Sequence, residues 1–136
     1  MVCSNGSDRA ALWGELITTA ARYRGAKGVV IDGIARDIKL IREVGFPVFC
    51  RGINCISSKG RIVAIDHGCP VKIGGVMVYP GDLVVADLDG VVVVPGDKIE
   101  EVIEKALDVA DRESKTRDEL KNGMGLYDVY KKYGTV

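Results

Sequence analysis

Three side chains in the first third of this chain have the types and spacing for chemistry on a small acid: Glu15, Arg36 and Asp37. Arg36-Asp37 follows a short apolar run, Val29-Val30-Ile31, and so falls where ligands favour an open α/β sheet, at the carboxyl ends of its strands. An arginine fork can grip a carboxylate through two parallel hydrogen bonds. An adjacent aspartate can give an oxygen to Mg²⁺, which takes few carboxylates and several waters. The same spacing also fits an N-cap aspartate beside a surface arginine. Gly14-Glu15-Leu16 opens a helix whose unpaired N–H groups make an anion site, and Gly14 permits close backbone approach. Glu15 can shuttle a proton there, or simply place a favourable charge at a helix N-terminus.

The elements that must position these residues follow from pattern. Leu12, Leu16 and Ala20, with Trp13, Ile17 and Ala21, repeat at helical spacing, and Gly14 places the regular helix from about that residue to Gly25. Gly28–Ile31, closed by the pair Asp32-Gly33, reads as a buried parallel strand. Asp37–Val44 reads as a helix stopped by Gly45 and Pro47, and Phe46–Cys50 as the next strand. Strand–helix–strand alternation implies crossovers onto a parallel sheet.

Beyond a polar loop at 51–60 the texture turns β-rich. Short runs are expected at Ile62–Ile65, Val71–Ile73, Val76–Tyr79, Leu83–Ala86 and Val91–Val94. Gly74-Gly75, Pro80-Gly81-Asp82 and Asp89-Gly90 separate them as turns. From Gly96-Asp97 a helix shows an apolar face of Ile99, Val102, Ile103, Ala106, Leu107 and Ala110. Further helix, carrying Leu126, Val129 and Tyr130, follows a break at Asn122-Gly123. This Lys/Glu-rich end is either a solvated face or a docking arm for another subunit.

Composition narrows the function classes. The chain has 136 residues and 47% hydrophobic content, enough for one packed core. Nineteen acidic residues balance nineteen basic ones, which argues against a dedicated nucleic-acid binder. No apolar run approaches the ~20 residues that span a bilayer. Cys3, Cys50, Cys55 and Cys69 form no CxxC pair, and His67 has no companion at zinc-ligand spacing. Free thiols, with no secretion signal visible in these residues, make the cytoplasm the expected compartment.

Taken together, Asp8 to Leu16 (DRAALWGEL), Gly28 to Gly33 (GVVIDG) and Arg36-Asp37 resemble the RraA-like family. The likeness continues through Phe46-Pro47-Val48-Phe49, Gly68-Cys69-Pro70-Val71, Pro80-Gly81-Asp82 and Ala86 to Val91 (ADLDGV). That family includes the 4-hydroxy-4-methyl-2-oxoglutarate/4-carboxy-4-hydroxy-2-oxoadipate aldolases, whose branch is marked by an acidic residue, twenty others, then Arg-Asp. Here twenty residues separate Glu15 from Arg36, with Glu in place of the usual Asp.

The resemblance implies an α/β fold, a layered α/β/α sandwich like the phosphohistidine swivelling domain. It would have a mixed sheet, a β-rich second half and C-terminal helices. One domain is expected over 1–136, with a helical extension over 97–133. The implied activity is a divalent-metal-dependent (class II) lyase that cleaves 4-hydroxy-2-keto acids to pyruvate or decarboxylates oxaloacetate. Arg36 would bind the substrate carboxylate with backbone N–H groups of Gly14, Glu15 and Leu16. Asp37 would hold Mg²⁺ or Mn²⁺, and Glu15 would position or deprotonate a water that returns a proton to the enolate. The implied assembly is a homotrimer or hexamer with interfacial sites. The other branch of the family, a non-catalytic protein-binding regulator of ribonuclease E, has the Arg-Asp pair broken. A phosphocarrier role would fall on His67, which sits in an Asp-His-Gly turn. Family members carry an N-terminal portion ahead of Asp8, so this chain is expected to be a shortened copy with exposed sheet edge or core.

Overall fold

A computed structural model describes residues 1–135 and shows a mixed α/β protein. Two compact units divide it: Met1–Gly81 with Val85–Val91, and Asp82–Val84 with the chain from Val92 onward.

The first unit is built on β3 (Val29–Ala35), with both faces buried, as a central parallel strand requires. β4 (Val48–Ile53) pairs with it in parallel along one edge, from Val29↔Val48 to Ala35↔Ile53. β1 (Val2–Cys3) and β2 (Ala11–Trp13) share the other edge, β1 at Ile31 and Asp32 and β2 at Ile34 and Ala35. All these pairings are parallel, so β2, β3 and β4 end at one edge of the sheet.

Two helices supply the crossovers, α1 (Glu15–Tyr23) and α2 (Ile38–Val44). Ile41 of α2 and half-buried Ala21, Ile38 and Val44 pack against Trp13, Val29, Ile31, Ala35 and Phe46. Trp13 and Phe46 stack with ring centroids 6.5 Å apart. The Arg22 guanidinium donates to the Val44 carbonyl, joining the ends of the two helices.

Three expectations change here. Asp32-Gly33 does not close the strand: β3 runs on to Ala35, with an irregularity between Ile31 and Ile34. Buried Gly33 lies where a Cβ would come within 2.6 Å of Leu12 and 2.7 Å of Ser4, so the glycine marks close packing rather than a turn. The fourth strand begins at Val48 and continues through Arg51-Gly52-Ile53, which the sequence assigns to a loop. Residues 62–65 form no strand; with Val63 79% and Ile65 93% exposed, their alternation finds no partner. β5 (Val71–Ile73) and β6 (Val76–Val78) do form the expected hairpin. Positive φ at Gly74 and Gly75 gives the tight turn that matches strand twist.

β7 (Leu83–Ala86) and β8 (Val91–Val94) pair as a two-stranded sheet, closed by Asp87 N–H to the Gly90 carbonyl. In the second unit a short 3₁₀ turn leads into α3 (Ile99–Lys121), and α4 (Leu126–Tyr133) returns after the break at Asn122-Gly123. Val129 of α4 is fully buried, and Thr116 is the buried residue of α3. Across these helices Lys132 pairs with Glu119, and Tyr133 donates to the same carboxylate. The apolar face expected on α3 is present in sequence but uncovered: Val102, Ile103 and Leu107 are all exposed.

Candidate active site at the carboxyl edge of the parallel sheet

The three strand ends bring together Gly14-Glu15 after β2, Arg36-Asp37 after β3 and Asn54-Cys55 after β4. The first junction is fixed by a buried network. Trp13 Nε1 donates to Thr18 Oγ1 at 2.7 Å, and that hydroxyl donates to the Gly14 carbonyl at 3.0 Å. Thr18 is fully buried, so this satisfied hydroxyl ties the start of α1 to the core. The helix begins at Gly14 because the chain is extended there, while its carbonyl accepts from Thr18 N–H.

The second junction is fixed by Arg36 N–H, which donates to the Trp13 carbonyl at 2.9 Å. Asp37 then takes a left-handed conformation, φ 59°, uncommon for a residue with a side chain. This kink turns the chain into α2 and aims the carboxylate back at α1. Asp37 Oδ2 accepts Glu15 N–H at 3.3 Å and lies 3.5 Å from Arg36 Nε. Asp37 therefore stands at the N-cap of α2, yet its side chain caps α1 instead. A Cβ on Gly14 would lie 2.7 Å from Asp37 Oδ2 and 3.2 Å from Arg36 Nε, so any other residue there would push the pair from its position.

Gly14, the Glu15 backbone, Arg36 and Asp37 thus meet, as the sequence suggests. The Glu15 carboxylate is placed differently: its Oε1 accepts from Thr19 Oγ1 at 2.8 Å, one turn along α1. Leu16 is 78% exposed and, with Ile17, lines a small cleft of about 40 Å³ beside Trp13, Gly14, Arg36, Asp37 and Ser58. On the other side of the Arg-Asp pair is a larger cleft of about 350 Å³, walled by Ile38, Ile53, Asn54 and Cys55. Sequence reasoning places those last three in a loop and so misses them. Asn54 is anchored on both ends, Nδ2 donating to the Asp8 carbonyl and Oδ1 accepting Ile56 N–H, which leaves one N–H and one lone pair of the amide open. It holds this rim in place. His67 is exposed in a turn far along the chain, its N–H donating to Asp66 Oδ1.

Among the described residues, no cluster of three or more His, Cys, Asp or Glu side chains could hold a metal. A cation at this site would rest on one carboxylate and water, the coordination Mg²⁺ takes readily. The donor chemistry fits. Both Asp37 contacts fall on Oδ2, which leaves Oδ1 for a ligand.

A glycine-backed Arg-Asp pair thus stands at the carboxyl edge of a parallel sheet in an α/β protein. The particular family follows from comparison. The RraA-like family (Aldolase/RraA) matches residues 1–93, and the chain belongs to it. A protein of Halalkalibacterium halodurans with the provisional name 4-hydroxy-4-methyl-2-oxoglutarate aldolase is 35% identical over 93% of this chain and 60% of its own. A solved structure of an uncharacterized Pseudomonas syringae protein superposes with TM-score 0.90 at 35% identity, covering 94% of this chain and 64% of that one. Streptomyces coelicolor RraAS2, described as an unusual member of the RNase ES inhibitor RraA family, gives TM-score 0.78 at 36% identity. It covers 87% of this chain and 61% of that one. Among three curated relatives, the chain spans between a fifth and about three fifths of their length. No helix among the described residues is long and apolar enough to cross a membrane.

Proposed function

We propose that this chain carries the site of a divalent-metal-dependent lyase that cleaves 4-hydroxy-2-keto acids to pyruvate or decarboxylates oxaloacetate. The observation that carries the reading is the Arg36–Asp37 pair held against Gly14 and Glu15 N–H at the start of α1.

Arg36 binds the substrate carboxylate, helped by the unpaired first-turn N–H groups of Leu16 and Ile17. Asp37 is the residue that would hold Mg²⁺ or Mn²⁺. When bound, the cation supplies the positive charge that polarises the 2-keto oxygen and favours enolate formation. In the cleavage the 4-hydroxyl loses its proton, the C3–C4 bond breaks and its electron pair passes to C3. A proton then returns to C3 to give pyruvate. Glu15, whose carboxylate rests on Thr19 Oγ1, would have to swing toward the cleft to position the water that delivers it. Oxaloacetate follows the same course with CO₂ as the departing group.

The family assignment and the name of the Halalkalibacterium relative support this reading. The test is pyruvate release from oxaloacetate and from 4-hydroxy-4-methyl-2-oxoglutarate, coupled to NADH oxidation, with Mg²⁺ and with EDTA. Turnover in Mg²⁺ that EDTA abolishes is expected; turnover that survives EDTA overturns it.

The reading also expects a cytoplasmic trimer or hexamer whose neighbouring subunits complete the site. The likeness to RraAS2 favours a second reading, a non-catalytic regulator of ribonuclease E. Capture of ribonuclease E by a chain with no lyase turnover would select it.

A further inference from the structure

Thr18 is a fully buried polar side chain to which the lyase chemistry gives no task. A threonine that bonds back to the carbonyl four residues earlier does not strengthen its helix, and alanine favours a helix more. What Thr18 does is join two parts of the site. Its hydroxyl accepts the Trp13 indole N–H at 2.7 Å. An indole nitrogen only donates, so the one hydroxyl proton goes to the Gly14 carbonyl at 3.0 Å. The Thr18 backbone N–H reaches the same carbonyl at 3.0 Å. That carbonyl belongs to the Gly14–Glu15 peptide, a rigid plane whose opposite edge is the Glu15 N–H. The N–H donates to Asp37 Oδ2, so turning the plane on its carbonyl side moves the Asp37 carboxylate on the other. Trp13 forms a second branch. Its indole is held by Thr18 and stacks on Phe46, while its carbonyl accepts Arg36 N–H at 2.9 Å. One buried hydroxyl thus reaches Asp37 through the peptide and Arg36 through Trp13.

We infer that Thr18 is a positioning residue for the lyase site: its hydroxyl fixes the Gly14–Glu15 peptide and Trp13, and through them sets Asp37 and Arg36 for the substrate. This inference rests on the lyase reading above. Thr18 acts only through these neighbours. A displaced Arg36 holds ground state and transition state less well alike, so the signature of losing the hydroxyl lies in KM rather than kcat.

The experiment follows deuterium entry into the methyl group of pyruvate by NMR in D₂O with Mg²⁺, over concentrations that span KM. It compares the unaltered chain with Thr18→Val, which keeps the shape without the hydroxyl, and Thr18→Ser, which keeps the hydroxyl without the methyl. Thr18→Val should raise KM roughly tenfold and change kcat by less than about threefold, whereas Thr18→Ser should hold KM within about threefold of the unaltered chain. Thr18→Val also strands the buried indole N–H, so its thermal midpoint should fall. Adding Trp13→Phe removes that stranded donor. The midpoint should then recover while KM stays above that of Trp13→Phe alone, and this pair carries the test if Thr18→Val by itself does not fold. A KM that is unchanged in Thr18→Val or that recovers with the midpoint makes Thr18 a packing group and overturns the inference. So does a change confined to kcat, or a serine variant as impaired as the valine one; each leaves the lyase reading standing. An unaltered chain with neither exchange nor pyruvate release from oxaloacetate overturns the lyase reading itself, and the inference with it.

Discussion

The β3-centred unit and the α3–α4 hairpin solve opposite problems. Around β3, both sheet faces are covered and the buried residues Trp13, Val29, Ile31, Ala35, Ile41 and Phe46 form one cluster. Its polar groups are committed as well: Trp13, Thr18 and Gly14 form a closed hydrogen-bonded chain. Along α3, by contrast, order comes from within the helix. Glu101–Lys105, Asp108–Arg112 and Asp111–Lys115 are ion pairs one turn apart, and nearly every side chain is exposed. Such pairs contribute only a few tenths of a kcal/mol each. The lesson is where precision resides. A site needs side chains fixed to within about half an ångström, and only the packed unit provides that.

Substitutions in the two regions should therefore differ sharply. Ile31→Ala, in the centre of the first unit and 2% exposed, should cost about 2–5 kcal/mol in urea unfolding. Leu107→Ala, at a 66% exposed position, should stay within about 0.5 kcal/mol. A large loss at Leu107 would show that α3 is packed against something in solution and would break the contrast. Gly14→Ala sharpens it on the functional side. The new methyl displaces Asp37 and Arg36 from their shared position, and turnover should fall by roughly a hundredfold while the thermal midpoint moves by a few degrees.

How much of this is legible in the sequence depends on whether the cause is local. Gly14 as the start of α1 and Gly45 as the stop of α2 can be read directly, because a missing side chain acts within its own turn. Arg36 and Asp37 can be read as a strand-end pair. The left-handed backbone of Asp37 cannot, since its cause is the carboxylate's bond to Glu15 N–H, 22 residues away. The Glu15 carboxylate on Thr19 is local, yet the competing site role conceals it. Val63 and Ile65 mislead in the other direction: apolar alternation promises a strand, but a strand also needs a neighbour. Ile53 and Cys55 become part of a cleft only when β4 is laid beside β3.

The smallest expected effect concerns pH in the helical hairpin. Hydrogen bonding to Lys132, then its charge, holds the Glu119 carboxyl below its ordinary value. Hydrogen bonds to Glu119 and Tyr133 hold Lys132 above its own. The Glu119 contribution is thus present above the ordinary carboxylate range and lost as pH falls through the lowered pKa. The Lys132 contribution is present below the ordinary ammonium range and lost as pH rises through the raised one. Helical circular dichroism followed on heating at several pH values should show a slight acid sensitivity that Glu119→Gln removes. An acid sensitivity that persists in that variant would place its origin elsewhere.

The central claim is that Arg36, set by the packed unit, is the group that holds the substrate. Its most direct test is the rate of pyruvate formation over a range of oxaloacetate concentrations that spans KM, with Mg²⁺, measured for the unaltered chain and for Arg36→Ala with matched circular dichroism spectra. The account predicts turnover by the unaltered chain and a fall in kcat/KM of roughly a hundredfold or more in the variant, the scale of a lost bidentate charge-assisted contact. A variant that retains the rate of the unaltered chain would contradict it.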